Sequence, residues 1–265
     1  MKKIFFILFC VVILSGCNSA KVQNNNDLNS KAEASSGELP QTEDASKIQA
    51  EETTKPVNTE NIPESVNLDI PFVSQAPLGS WDNLHNEACE EASIISAIVF
   101  LNNESISRDE MDKQILDMVK WQEENFGGHF DLPAEKVKEF VEKYYRGNYK
   151  VEISYDIPIE DIKRALASNH PVIVPLSGRT IDNPYFKQPG PVYHMLIIKG
   201  YDDNKGEFIT NDVGTNKLGE NFRYKYENLF DSIHDMPKWE QNKQKLDSNP
   251  KMIFNGKKAM LIITK

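Results

Sequence analysis

From Asn18 to about Glu64 the chain carries no aromatic residue and is written largely in Asn, Ser, Ala, Glu, Thr, Gln and Lys. Such a segment cannot bury enough apolar surface to offset the entropy of ordering it, so residues 18–64 are expected to form a disordered tether. The fold must therefore be made by residues 65–265, a length sufficient for a single core. Acidic residues outnumber basic ones along the tether, which supplies much of the formal net charge of -10. That balance argues against a nucleic-acid partner and against a polybasic grip on anionic lipid. No internal repeat is visible.

Ahead of the tether, Met1-Lys2-Lys3 is followed by a short apolar run over residues 4–14. The run is too short for a comfortable membrane span and reads as an export signal. It ends in Leu14-Ser15-Gly16-Cys17, which resembles the lipobox of bacterial lipoproteins; a plain signal peptide or a short anchor is the alternative. The resemblance implies that residues 1–17 are a lipoprotein signal and that Cys17 is lipidated as the mature N-terminus. It also implies a protein exported to the outer face of a bacterial membrane. Cys10 is then removed and Cys17 blocked, leaving Cys89 as the lone free thiol with no disulfide partner.

Cys89 closes a loop rich in Pro, Gly, Asp and Asn (residues 75–88), and residues 90–101 read as a helix. A thiol in the first turn of a helix meets unpaired N–H groups and the positive end of the macrodipole, so its pKa is expected below the reference of about 8.5. Glu90 and Glu91 oppose this by repulsion, but helical geometry points them away, where solvent would screen them.

Residues 66–70 read as an edge strand. Ser107 looks like the cap of a second helix, with Met111, Ile115, Met118 and Val119 on one face. A third helix opens near Asp131-Leu132-Pro133 and carries Val137, Phe140, Val141 and Tyr144 on one face. At Tyr149 the period changes to alternation, predicting a strand over residues 149–155; a helix follows over 158–167, the apolar runs 171–176 and 192–201 read as buried strands, and the turn at 202–206 returns 207–212 as the partner of the second. Residues 177–191 hold three prolines and two glycines and predict a surface loop. A helix is expected over residues 226–233, and a last hairpin over 252–264 turned by Asn255-Gly256. Helices first and an antiparallel sheet later make an α+β pattern.

His194 sits inside an apolar strand, where a histidine is ordinarily a satisfied core residue. If the turn at residues 202–206 is centred on Asn204, Leu196 lies opposite Asp212 and His194 is its diagonal neighbour, about 7–8 Å away backbone to backbone. A carboxylate could then hold one imidazole nitrogen while the other faces a thiol, as a cysteine nucleophile requires. A register shifted by one residue would present Asn211 instead, and either residue can orient an imidazole. Gln75, with a neutral amide, suits a second oxyanion donor beside the Cys89 backbone N–H.

Ser74-Gln75-Ala76-Pro77, Cys89-Glu90-Glu91-Ala92-Ser93, Tyr193-His194-Met195, Gly200-Tyr201-Asp202 and Thr210-Asn211-Asp212 resemble the motif set of the papain-like cysteine peptidases. The nearest branch is that of double-glycine-leader (bacteriocin-processing) peptidase-like domains. The resemblance implies a papain-like domain over residues 65–265, an N-terminal helical half packed on a C-terminal antiparallel sheet. It further implies that Gln75 shapes the oxyanion hole, Cys89 attacks, His194 is base and then acid, and Asp212 orients His194. The best-characterised members are cytoplasmic domains of exporters, whereas this chain has an export signal and a tether, so leader processing does not follow.

Trp81 and His85 could line a substrate cleft, although burial under the loop and a polar loop position are the plainer readings. His129, His170 and His234 are scattered, and no Cys/His set has zinc spacing, so neither metal nor cofactor is expected. The sequence thus predicts a monomeric, lipid-anchored cysteine hydrolase acting on a peptide or isopeptide bond, with acyl transfer as a variant. A non-catalytic surface module that binds a peptide or cell-wall component is the competing class.

Overall fold

The computed structural model describes residues 62–237 and 243–265; the signal, Cys17 and nearly all of the tether lie outside them. Strand β1 (Ser65–Asn67) is followed by three helices: α1 (Cys89–Asn102), α2 (Arg108–Phe126) and α3 (Ala134–Tyr144). Then come β2 (Lys150–Tyr155), α4 (Ile159–Ala167), β3 (Val172–Leu176), β4 (His194–Asp202), β5 (Glu207–Asn211), β6 (Phe222–Lys225), α5 (Tyr226–Ser232), α6 (Lys243–Ser248) and β7 (Ala259–Thr264). The order, helices and then an antiparallel sheet, is the α+β arrangement that the change of period at Tyr149 predicts.

Seven strands form one antiparallel sheet in the order β2-β7-β3-β4-β5-β6, with β1 also paired to β4. Because β4 and β3 are buried on both faces, their residues alternate between two cores. Met195, Ile197 and Ile173 join α1, α2 and α3 in one. Leu196, Ile198, Val172 and Val174 join Ile162 and Leu166 of α4 and Leu229 of α5 in the other. The period-2 geometry of a strand dictates that split. Contacts begin ahead of β1: Ile62 packs on the second core, and the Pro63 carbonyl accepts from the Tyr201 hydroxyl at 2.6 Å.

Helix α1 is the centre of the first core and is buried from Cys89 to Val99. Such a helix can carry polar residues only if each finds a partner. Ser93 donates to the Met195 carbonyl at 3.4 Å and Ser96 to the Pro71 carbonyl. Glu91 accepts from Gln122 of α2, and His129 lies 3.4 Å from the same carboxylate. The solvent screening expected for Glu90 and Glu91 is therefore wrong, since both are essentially buried. Glu91 turns into α2 and toward His129, whereas Glu90 stays beside Cys89, its carboxylate held between the thiol and the Leu132 N–H of the 127–132 loop. Helix α2 begins as predicted with a full capping box, Ser107 with Glu110.

The expected C-terminal hairpin does not form. Pro250–Asn255 is a 3-10 helix started by its proline, and β7 pairs with β2 and β3 in the body of the sheet. Gly256 has φ -76°, not the positive value that a tight Asn-Gly hairpin turn needs. Its glycine answers a different demand: a Cβ there would lie 1.7 Å from the Asp235 carbonyl oxygen. Strand β6 escapes the sequence reading altogether.

Candidate active site

The loop before α1 is fixed at both ends. The Gln75 backbone N–H donates to the Val213 carbonyl at 3.0 Å, and Gln75 Nε2 donates to the His85 carbonyl at 2.8 Å. The carbonyl partner identifies Nε2 as the donor and leaves its second N–H uncommitted, while Oε1 is buried without a hydrogen-bond partner. His85 is itself locked, its ring nitrogens 2.8 Å from Asp82 and 3.0 Å from Asp112. It does not line the cleft, which corrects the assignment of His85 to substrate contact; its backbone carbonyl serves Gln75 instead.

The loop delivers Cys89 as the first residue of α1. The expectation of a lowered thiol pKa fails here. Burial, then the charges of Glu90 and Asp131, push the Cys89 thiol well up. The thiol donates to Glu90 Oε2 at 3.1 Å, while Glu90 Oε1 accepts from the Leu132 N–H at 2.8 Å. Glu90 is in turn pushed well up by burial, Asp131 and Glu91. The partial charge of one helix terminus is outweighed by desolvation plus two carboxylates, and the neighbouring Met195 N–H offers only a partial offset.

His194 opens β4, one residue before that Met195 N–H. The register pairs Ile197 with Asn211, so Leu196 falls opposite Asp212 and the His194 side chain shares the Asp212 face. Imidazole Nε2 lies 3.0 Å from Asp212 Oδ1. The carboxylate also accepts from the Gly214 N–H at 3.1 Å, from Asn183 Nδ2 at 2.9 Å and from the Tyr224 hydroxyl at 2.5 Å. Burial would raise its pKa, but the His194 charge and these donors outweigh it and hold Asp212 below the ordinary carboxylate range. Asn211 is turned elsewhere, donating to the Ile70 carbonyl at 3.0 Å and accepting from the Asn221 N–H.

Gln75, Cys89 and His194 line one cleft of ≈ 770 Å³ together with Trp81, Asp131, Tyr193 and residues 185–191. Trp81, Tyr185 and Leu218 form part of its rim and stay 40%, 52% and 54% exposed, which concentrates large apolar side chains at this mouth. Tyr193 anchors the floor by donating to the Leu132 carbonyl at 2.9 Å. Cys89, Glu90 and Asp131 offer ligand atoms within 4.8 Å of one another, the one such group among the described residues, and two of those side chains are joined by the thiol–carboxylate bond. Sequence reasoning missed Asp131, Asn183 and Tyr224. Asp131 was legible only as a helix start, and the other two lie in segments without periodic or motif signal.

An α+β fold that brings a helix-start thiol and a histidine–carboxylate pair to one apolar cleft defines a cysteine-peptidase-like class. The profile of the Peptidase_C39 like family matches residues 67–246, and the chain belongs to that family. Residues 1–18 match the prokaryotic membrane lipoprotein lipid attachment site. Among solved structures, similarity is found to a C39-like peptidase from Bacillus anthracis, at 14% identity and a TM-score of 0.44 over 77% of this chain and 99% of that one. It is also found to Xylellain, a cysteine protease from Xylella fastidiosa, at 17% identity and a TM-score of 0.38 over 77% and 87%. No curated protein matches. No helix among the described residues is long and apolar enough to cross a membrane.

Proposed function

We propose that the chain is a cysteine hydrolase that cleaves a peptide or isopeptide bond through a thioester. It would be held at the outer face of a bacterial membrane by lipid on Cys17, with residues 18–64 as tether and 65–265 as the catalytic domain. The observation that carries this reading is the 3.0 Å contact of the buried Asp212 with His194, which lines the same cleft as Cys89. With Nε2 committed to Asp212, Nδ1 is the nitrogen available to the thiol.

Because Cys89 is held protonated, the chemistry begins with a proton transfer. His194 takes the Sγ proton as sulfur attacks the scissile carbonyl carbon, and the oxyanion is met by the Cys89 backbone N–H and the second N–H of Gln75 Nε2. The tetrahedral intermediate collapses, the C–N bond breaks, and the imidazolium gives its proton to the departing amine. Water, deprotonated by His194, then attacks the thioester carbon, releasing a carboxylic acid and restoring the thiol. Asp212 stabilises the imidazolium without taking its proton. The apolar rim favours a polypeptide with large apolar side chains flanking the bond.

The hydrogen bond from Cys89 to Glu90, rather than to imidazole, favours a second reading, a non-catalytic module that binds a peptide or cell-wall component. Incubating full-length protein with a peptide library and mapping new termini by mass spectrometry separates the two. The hydrolase predicts cleavages by the wild type that vanish in Cys89→Ser; equal peptide retention by both proteins with no new termini establishes the binder.

A further inference from the structure

We propose that Asn183 is a positioning residue that joins the wall of the cleft to the Asp212 carboxylate, so that the geometry of the His194–Asp212 pair is set by the loop that substrate touches. The inference rests on the hydrolase reading above.

One side chain makes both connections. Asn183 Nδ2 donates to Asp212 Oδ2 at 2.9 Å and lies 2.7 Å from the Tyr224 hydroxyl, which donates to the same oxygen. Asn183 Oδ1 accepts from the Tyr185 N–H at 2.9 Å, and its backbone carbonyl accepts from the Phe186 N–H at 3.3 Å. Tyr185 and Phe186 begin the stretch that walls the cleft. Phe186 also stands edge-on to the His194 ring, with 5.3 Å between centroids. All three members of the Asn183, Asp212 and Tyr224 cluster are at most 3% exposed, so water does not replace a lost donor. The far side of the loop is pinned separately: the Asp182 N–H donates to Asn228 Oδ1 at 2.9 Å, and Asn228 Nδ2 to the Thr180 carbonyl at 3.1 Å. Asn183 is thus the point where the substrate-facing half of the loop meets the acid.

Asn183→Asp isolates the connection because it keeps an acceptor for the Tyr185 N–H, loses the donor to Asp212 and places a second carboxylate against it. Near neutral pH the variant should lose the downfield proton resonance of the His194 N–H. Cys89 alkylation by iodoacetamide should slow by on the order of tenfold, as expected for loss of one hydrogen bond to a buried charge. Two facing carboxylates share a proton as pH falls, so the introduced carboxyl becomes a donor and the deficit relative to wild type should shrink on acidification. Tyr185 amide exchange should stay as in wild type. A wild-type resonance and alkylation profile in Asn183→Asp overturns the proposal, as does a deficit that is the same at every pH. Should that variant not fold, Asn183→Ala decides: slowed alkylation with lost Tyr185 protection supports the link, and lost protection with wild-type alkylation overturns it. If His194→Ala leaves Cys89 alkylation unchanged, the hydrolase reading itself has failed, whatever Asn183 does.

Discussion

Replacing Glu90 by Gln should convert a protonated, quiescent thiol into a reactive one. The Cys89 thiol donates to Glu90 Oε2 at 3.1 Å, and Glu90 is, after burial, the leading cause of its raised pKa. Once Glu90 is ionised, the hydrogen bond to its carboxylate contributes about 1.5–3 kcal/mol. Its loss should lower the thiol pKa, and about 1.4 kcal/mol corresponds to tenfold in the thiolate fraction. Below that pKa the thiolate fraction rises tenfold per unit, so iodoacetamide should modify the variant about 10–100 times faster near neutral pH. Gln retains an acceptor for the Leu132 N–H, so the loop that Glu90 holds should stay in place. The assay is the alkylation rate of full-length protein from about pH 6 to about pH 10, read as the midpoint of its rise. An unchanged or higher midpoint would refute the claim that Glu90 holds the thiol proton.

The same two groups set a pH trend in stability. The folded pKa values of Glu90 and Cys89 are raised, so their contribution is fully present below the unfolded values of about 4.3 and about 8.5 and is lost as pH climbs through the folded ones. Denaturant midpoints should therefore fall for wild type relative to Glu90→Gln as pH is raised from about 5 to about 9. Gln75→Ala should lower kcat by about 10²–10³ with little change in KM, because its donor acts on the oxyanion rather than on bound substrate. Gly256→Ala should cost about 1–3 kcal/mol in chemical denaturation, since its Cβ would meet the Asp235 carbonyl at 1.7 Å.

Much of the architecture is written locally. The alternation from Tyr149, the Ser107 cap and the proline ahead of α4 each act within a few residues, and each places its element within a residue or two. The β4–β5 register is instructive because two departures cancel. The turn is longer than one centred on Asn204, Tyr201 pairing with Phe208, but a bulge at Lys199 restores the offset, so Ile197 still meets Asn211. What could not be read is long-range. Nothing near Cys89 announces that Glu90 and Glu91 will be walled in by residues 122–132, so the helix dipole looks decisive when burial in fact wins. Asn183 and Tyr224 reach Asp212 from 29 and 12 residues away, one from a loop and one from an unpredicted strand. Asn255-Gly256 misleads because glycine serves a close backbone approach as readily as a hairpin turn.

The central claim is that sulfur and imidazole act together across the cleft. Dibromoacetone, whose two electrophilic carbons can bridge a thiol to a nearby ring nitrogen, tests it directly on the full-length protein. Peptide mapping should return Cys89 and His194 covalently joined, with no bridge in Cys89→Ser or His194→Ala. Recovery of Cys89 modified at one end only, with His194 untouched in the folded wild type, would contradict the account.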